Sequence, residues 1–261
     1  MRIVMVEGAA CMDVISASIQ AALLMPESVF MQLRLALFIP KKSGRAGLPG
    51  SIEFVYMPLC EPILSIADRR QNQRTELRER RAGLTPGARI AAAEGVARSL
   101  EQLPQFLDSA FIAGYWASAG ELSLHAAVSR LLRRGQTYCL PMIQPQRDLS
   151  FAAWRPGATL VTNRYGIPEP DVAFADSIAP VALDLVLLPL LGFNRDGHRL
   201  GFGGGFYDRS FAFLQDRPRP GKPLLVGIGY SLQELPELTG EVWDVRMDFV
   251  ATERELIACT H

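Results

Sequence analysis

From Asp68 onward the apolar and polar positions fall into a regular order. The segment "DRRQNQRTELRERRAGL" is charged and rich in good helix formers. Within it Arg70, Arg74, Arg78 and Arg81 recur at spacings of four, four and three, which puts all four on one helix face. Gly83 is expected to stop this helix, and Thr85 to cap a second one with Pro86 at its first position. That second helix is expected to present Ile90, Val96, Leu100 and Leu103 as its apolar side. "AFIAGYWAS" (110–118) is aromatic and β-branched, the composition of a buried strand. "ELSLHAAVSRLLRRG" has the periodicity of an amphipathic helix closed by Gly135. "QTYCLPMI" and "LSFAAW" follow as strands. "DLVLLPLLGF" (184–193) is a continuous apolar run, the pattern of a central strand covered on both faces. A further helix is expected within or just after the glycines near 203, running through "FYDRSFAFLQD". "PLLVGIGY" is one more buried strand, and "MDFVATE" the last. Strands and helices alternating at these spacings predict an α/β layered domain with a largely parallel sheet.

Residues 1 to about 66 break this order. "PKKSGRAGLPGS" (40–51) is turn-rich and without periodicity. "MQLRLALFI" alternates as a strand does, with no obvious partner. Residues 1–66 are read as an atypical N-terminal extension, poorly ordered or the product of an upstream start codon; a small accessory subdomain is the rival reading. Residues 67–261 carry the functional domain.

Composition narrows the class. A chain of 261 residues with 49% hydrophobic content suits one large domain or two small ones. Lys+Arg and Asp+Glu balance at 27 each, so no global field favours nucleic acid or an anionic membrane. The lysines are Lys41, Lys42 and Lys222, the other basic residues being arginine, the better residue for forked contacts to phosphate and carboxylate. Cys11, Cys60, Cys139 and Cys259 are scattered without metal spacing, as free thiols in a reducing cytosol would be. The apolar run 14–25 is too short to span a bilayer, and Glu7 and Asp13 interrupt what would be the core of a signal peptide. A cytoplasmic protein, a monomer or small homo-oligomer, is expected.

The chemistry concentrates in "LLGFNRDGHRLGFGGGFYDRSF" (190–211), where Arg199 precedes three consecutive glycines and Asp208 follows them. Ordering three glycines in a row is costly. The stretch has no lysine and so is not a P-loop, and Phe206 stands where a dinucleotide fingerprint needs its third glycine. Two readings stay open on these residues alone. One is a loop whose free N–H groups bind an anion at the carboxyl edge of a sheet, with Arg199 adding a forked contact. The other is a tight turn packed against the sheet. Asp208 beside such a loop suits Mg²⁺ held by carboxylate and phosphate oxygens, with Asp248 as a second carboxylate; otherwise Asp208 is an ordinary acidic residue at a helix start.

Taken together, "RTELRERRAGLTP", "YWASAGELSL", "RYGIPEP", "LDLVLLPLLGFNRDGHRLGFGGGFYDR" and "WDVRMDFVATE" resemble the 5-formyltetrahydrofolate cyclo-ligase family, also called 5,10-methenyltetrahydrofolate synthetase. The resemblance spans about residues 69–253, and "DGHRLGFGGGFYDR" is its most specific string. It implies a three-layer α/β/α fold with a glycine-rich nucleotide loop at the carboxyl ends of a mostly parallel sheet. It also implies ATP and Mg²⁺ as cofactors and 5-formyltetrahydrofolate as the small-molecule substrate. The implied reaction gives 5,10-methenyltetrahydrofolate, ADP and phosphate through a phosphorylated formyl group.

The family's cation and following arginine map onto Arg74 and Arg78; many members have lysine at the first, so Arg74 is a departure. Its nucleotide loop maps onto Arg199, Gly201, Phe202, Gly203, Gly204, Gly205, Phe206 and Tyr207, with Arg78 and Arg199 in the catalytic role. Some members carry basic residues where this chain has Phe202 and Gly204, which throws weight onto Arg74, Arg78, Arg199 and the metal. Asp208 and Asp248 map to metal positions. Glu121, Trp116, Tyr165 and Phe206 map to the substrate site, Glu121 as partner of the pterin's donor edge. His198 is expected on the surface and His125 in a structural role. The alternatives are a folate-binding protein without catalysis and a sugar-phosphate isomerase-like α/β enzyme. A nucleic-acid binder is disfavoured by zero net charge and a single short basic face.

Overall fold

The computed structural model describes residues 36–37, 55–56 and 65–260. The chain divides into two compact units, Met1–Leu64 and Ser65–His261. In the first, β1 (Ala36–Leu37) pairs antiparallel with β2 (Val55–Tyr56). The alternating segment 31–39 thus has a partner at those two positions; the rest of the N-terminal extension lies outside the described residues.

In the second unit α1 (Ile66–Ala82) starts where the Ser65 side chain accepts from Asp68 N. It stops at Gly83, whose N–H reaches Glu79 O. Thr85 caps α2 (Pro86–Leu100) by accepting from Ala88 N at 3.2 Å, with Pro86 at the first turn. The short α3 (Pro104–Asp108), absent from the sequence reading, also opens on a proline. The chain then runs through β3 (Phe111–Ala113), α4 (His125–Arg133), β4 (Thr137–Ile143) and β5 (Leu149–Trp154). The hairpin of β6 (Leu160–Thr162) and β7 (Pro168–Pro170) precedes β8 (Leu185–Pro189). A second hairpin, β9 (Gly192–Phe193) with β10 (Arg199–Leu200), leads to α5 (Phe206–Phe211). The chain ends with β11 (Leu224–Ile228), β12 (Phe249–Ala251) and β13 (Leu256–Ala258).

Seven strands form one sheet in the order β13-β12-β11-β8-β3-β4-β5. The pairs from β12 through β11, β8 and β3 to β4 are parallel, and both edge strands, β13 and β5, are antiparallel. The fold is therefore α/β with a mostly parallel mixed sheet flanked by helices. Alternate residues of β8 enter opposite cores, as the period of two requires. Leu185 and Leu187 join Val96 and Leu100 of α2 and Leu131 of α4. Val186 and Leu188 join Phe193 of β9 and Phe211 of α5. Each fully buried leucine contributes about 1.5–3 kcal/mol, and β8 is buried on both faces as its continuous apolar run predicts.

Three expectations change. Ile90 is 62% exposed, because it lies roughly 200° around the axis from buried Ala92. The buried side of α2 is instead built largely on small residues, and a Cβ at Gly95 would stand 2.6 Å from Glu253 O. Leu103 is buried, but beyond the end of α2 as the N-cap of α3. The strand expected over 110–118 is confined to Phe111–Ala113. The run 184–193 leaves the sheet at Pro189, after which Leu191 N donates to Leu200 O within the β9–β10 turn-back.

Candidate functional site

Strand β3 is flanked by β4 on one side and β8 on the other, so the chain leaves it in one direction and returns beyond it in the other. Ligands of open α/β sheets bind outside the carboxyl ends of strands at such a switch point. The loop 114–124 follows β3, and the segment 190–205 follows β8. These two stretches hold Glu121 and the glycines.

Phe202 and Gly203 are exposed and Gly201, Gly204 and Gly205 half-buried. Gly203 (φ +99°) and Gly205 (φ +63°) take conformations that side chains disfavour. No described residue accepts a hydrogen bond from the amides of Gly203, Gly204 or Gly205.

Helix α1 lies against this loop. Arg74 Nε donates to Gly201 O at 3.0 Å. Burial, and then the charges of Arg70 and Arg78, lower the Arg74 pKa. Arg78, one turn along, is exposed and bonded to no described residue. One turn the other way, Arg70 is neutralised by Asp244 at 2.7 Å and also donates to Thr239 O at 3.2 Å. The Arg74 guanidinium therefore stands beside exposed Gly203, with the Asp244 charge a weaker opposing influence, and Arg78 follows one helix turn further along.

Glu121 lies ahead of α4 rather than at its start. Its Oε2 accepts from Ser118 N at 2.8 Å and Ser118 Oγ at 3.3 Å. Burial raises its carboxyl pKa, opposed by the Ser118 bonds and the Arg81 charge. Tyr115 and Tyr207 are pushed up by burial and then by the Glu121 charge, so both rings stand near this carboxylate. Arg81, on the same stripe of α1, is 2% exposed. It donates through Nη2 to Ala119 O at 2.6 Å and lies 5.6 Å from the Phe202 ring centre. The arginine stripe thus touches both the glycine loop, through Arg74, and the loop that carries Glu121, through Arg81.

A third cluster forms on Phe206. Tyr165, 50% exposed in the β6–β7 turn, meets it edge-on at 5.7 Å. The guanidiniums of Arg147 and Arg209 lie 5.9 and 5.4 Å from its ring, and Arg209 also donates to Gly204 O. Trp116, 38% exposed, packs edge-on to Trp154 at 5.8 Å. Both tryptophans line an apolar cavity of about 510 Å³ with Tyr138, Leu124 and Val128. Trp116 and Tyr165 are therefore not core residues.

The remaining expected residues have partners of their own. Arg199 is 7% exposed and donates to Val245 O and to Asp208. It braces α5 against the segment around Val245. Asp208 uses Oδ1 for Arg199 and for Val245 N at 3.3 Å, while Oδ2 is bonded to no described residue. Asp248 is not brought to Asp208. Its carboxylate is fully buried, ion-paired to Arg219, and accepts from Leu225 N at 2.8 Å. It precedes β12, at the amino edge of the parallel strands, opposite the edge where the loops above emerge. Among the described residues no three His, Cys, Asp or Glu groups converge as a metal cluster. His198 is half-buried against Gly240, and His125 is exposed beside Ser123 Oγ at 3.0 Å.

The structure adds Asp244, which sequence reasoning missed. It neighbours Val245, the residue that binds Asp208, and it pairs with Arg70, one turn of α1 from Arg74. A separate cavity of about 610 Å³ beside Asp244 is lined by Asp196, His198, Glu237 and Glu241. Arg246 lines it as well, so the lining is mixed in charge though mostly acidic. Arg81, Arg147 and Arg209 were also missed; only the arginine spacing of α1 hinted at the first.

Residues 66–253 match the model of the 5-formyltetrahydrofolate cyclo-ligase family. The Haemophilus influenzae 5-formyltetrahydrofolate cyclo-ligase is 32% identical over 179 residues, covering 68% of this chain and 94% of the relative. The Escherichia coli K12 enzyme of the same name is 32% identical over 178 residues, covering 67% and 96%. The NMR structure of Aquifex aeolicus 5,10-methenyltetrahydrofolate synthetase is 28% identical with a TM-score of 0.61, covering 72% of this chain and 92% of that one. Among the described residues no helix is long and apolar enough to cross a membrane.

Proposed function

The chain belongs to the 5-formyltetrahydrofolate cyclo-ligase family and is an ATP-dependent ligase converting 5-formyltetrahydrofolate into 5,10-methenyltetrahydrofolate; from that premise we propose how its residues perform the reaction. The triphosphate lies along the amides of Gly203–Gly205, gripped by Arg74 and Arg78, with Phe202, Phe206 and Tyr207 as neighbours. Glu121 takes the donor edge of the pterin, and Tyr165, Phe206 and Trp116 give flat surfaces for the rest of the folate. The formyl oxygen attacks the γ-phosphorus and the bond to the bridging oxygen breaks, releasing ADP. N10 then attacks the formyl carbon and gives up its proton, and the phosphorylated oxygen leaves as phosphate. An amide-like oxygen is a poor leaving group until phosphorylated, and phosphoryl transfer needs mainly positioning and charge stabilisation. Paired arginines and bare amides supply both.

Mg²⁺ fits beside Asp208 and Asp244 better than at Asp248. Asp208 keeps one oxygen uncommitted, and Asp244 stands next to the residue that holds it. A hard ion with one or two carboxylates and phosphate oxygens suits that pair, and it would supply charge neutralisation on the transferred group. Arg199 then acts by positioning Asp208. Residues 65–261 carry the enzyme, and a cytosolic setting accords with free Cys139, whose burial raises its thiol pKa to about 12.

The observation that carries this reading is the docking of α1 on the glycine loop through Arg74 at Gly201 O, with Arg78 one helix turn further along. The test mixes protein, Mg·ATP and 5-formyltetrahydrofolate and follows the near-ultraviolet absorbance of the methenyl product. ATP-dependent appearance of that absorbance is expected. Tight folate binding without turnover would instead favour the non-catalytic reading.

A further inference from the structure

Arg81 carries a buried donor with no acceptor among the described residues. Its Nη1 is sealed from water and has no hydrogen-bond partner among the described residues, although Nη2 is satisfied by Ala119 O. A charged N–H left in this way is costly, and native folds rarely keep one without a use. Glu121 stands close enough for the two charges to be felt, yet its Oε2 is taken by Ser118 and its Oε1 bonds no described residue. A donor and an acceptor, each with no hydrogen-bond partner among the described residues, thus belong to side chains held by the same loop, Arg81 through Ala119 and Glu121 through Ser118, with the Phe202 ring beside the guanidinium.

Resting on the folate reading above, we propose that Arg81 and Glu121 together read the amide edge of the pterin: Glu121 accepts from the exocyclic amine and the adjacent ring N–H, and Arg81 Nη1 donates to the C4 carbonyl oxygen. The edge presents two donors and then one acceptor in that order, which an acid–arginine pair matches. The C4 carbonyl neighbours N5, the nitrogen that bears the formyl group. Arg81 therefore fixes the end of the ring nearest the chemistry, and the same stripe of α1 carries Arg78 and Arg74 on toward the phosphates. A pocket built to hydrogen-bond a substrate group rejects an analogue that lacks it, because its own polar groups are left unpaired.

The test compares 5-formyltetrahydrofolate with a 2,4-diamino folate analogue, in which an amine replaces the C4 carbonyl and N3 carries no hydrogen, by calorimetric titration of the full chain, the Arg81 variants separating the C4 contact from the N3 contact. The wild-type protein is expected to prefer the 4-oxo ligand. Arg81→Met should weaken 4-oxo binding about 10- to 100-fold, leave the 4-amino ligand little changed, and leave the KM for ATP unaltered. Arg81→Lys should restore part of the preference, and it carries the test if the methionine variant does not fold. Equal loss of both ligands, or a raised KM for ATP with folate binding intact, overturns the proposal, as does a wild-type protein indifferent to the C4 group. Discrimination without any turnover would sink the ligase reading and leave this one standing.

Discussion

Replacing Arg74 with glutamine separates holding the fold together from holding the nucleotide. The lost contact is Arg74 Nε to Gly201 O at 3.0 Å, a half-buried bond worth about 0.5–1.5 kcal/mol net. Against that, the substitution relieves repulsion with Arg70 and Arg78, which already lowers the Arg74 pKa after burial does. Like-charge pairs one turn apart on a helix cost about 0.2–0.5 kcal/mol each. The two effects nearly cancel, so the free protein should stay within about 1 kcal/mol of wild type. That corresponds to a shift of roughly 2–4 °C at most in a unit of this size. The nucleotide loses far more. A charge-assisted bond to a phosphate oxygen is worth about 1.5–3 kcal/mol, so the KM for ATP should rise by about one to two powers of ten. The assay is the near-ultraviolet turnover rate with ATP varied at saturating folate, then folate varied at saturating ATP, beside a thermal melt of the free protein. A large drop in melting temperature, or an equal rise in both KM values, refutes the reasoning and makes Arg74 a structural residue.

Glu121→Gln should raise the KM for folate and leave that for ATP alone; the reverse pattern would remove Glu121 from the pterin pocket. Burial holds the Glu121 pKa above its ordinary 4.5, so its charged form is disfavoured by folding. That cost is absent below about pH 4.5 and is felt as pH rises through the raised folded-state value. The glutamine variant should thus melt no lower than wild type at neutral pH, any advantage vanishing on acidification; a lower melting temperature at neutral pH contradicts it. Asp248→Asn breaks the buried pair with Arg219, at a cost of about 3–5 kcal/mol, and should lower the melting temperature while the Mg²⁺ concentration for half-maximal rate stays put. A shifted Mg²⁺ requirement at unchanged stability would return Asp248 to the metal. Removing residues 1–64 should leave kcat and both KM values intact, and an inactive 65–261 chain would show that the first unit contributes to catalysis.

The parts of the site readable in the sequence are those set by local rules. The Thr85–Pro86 cap, the arginine stripe of α1 and the glycines ahead of α5 depend on residues a few positions apart. The continuous apolar run predicted a buried central strand, but not that it leaves the sheet at Pro189 to build the hairpin that carries the glycines. Asp248 illustrates the failure of order without distance: it follows Asp244 by four residues, yet Asp244 meets Arg70 while Asp248 is sealed by Arg219. The pairing of Asp244 with a residue 174 positions away left no local signal. Arg81 shares a helix face with exposed Arg78, and its burial comes from distant segments that no local spacing announces, Ala119 of the loop 114–124 and Phe202 among them.

The central claim is that the main-chain amides of the glycine loop and two α1 arginines hold the triphosphate. Titrating ¹⁵N-labelled protein with Mg·ATP tests it at the atoms concerned. The amide resonances of Gly203, Gly204 and Gly205 and the side-chain Nε signals of Arg74 and Arg78 should move together, saturating at one ATP per chain. If ATP binds and supports turnover while those five signals stay still and others move, the nucleotide lies elsewhere and the account is wrong.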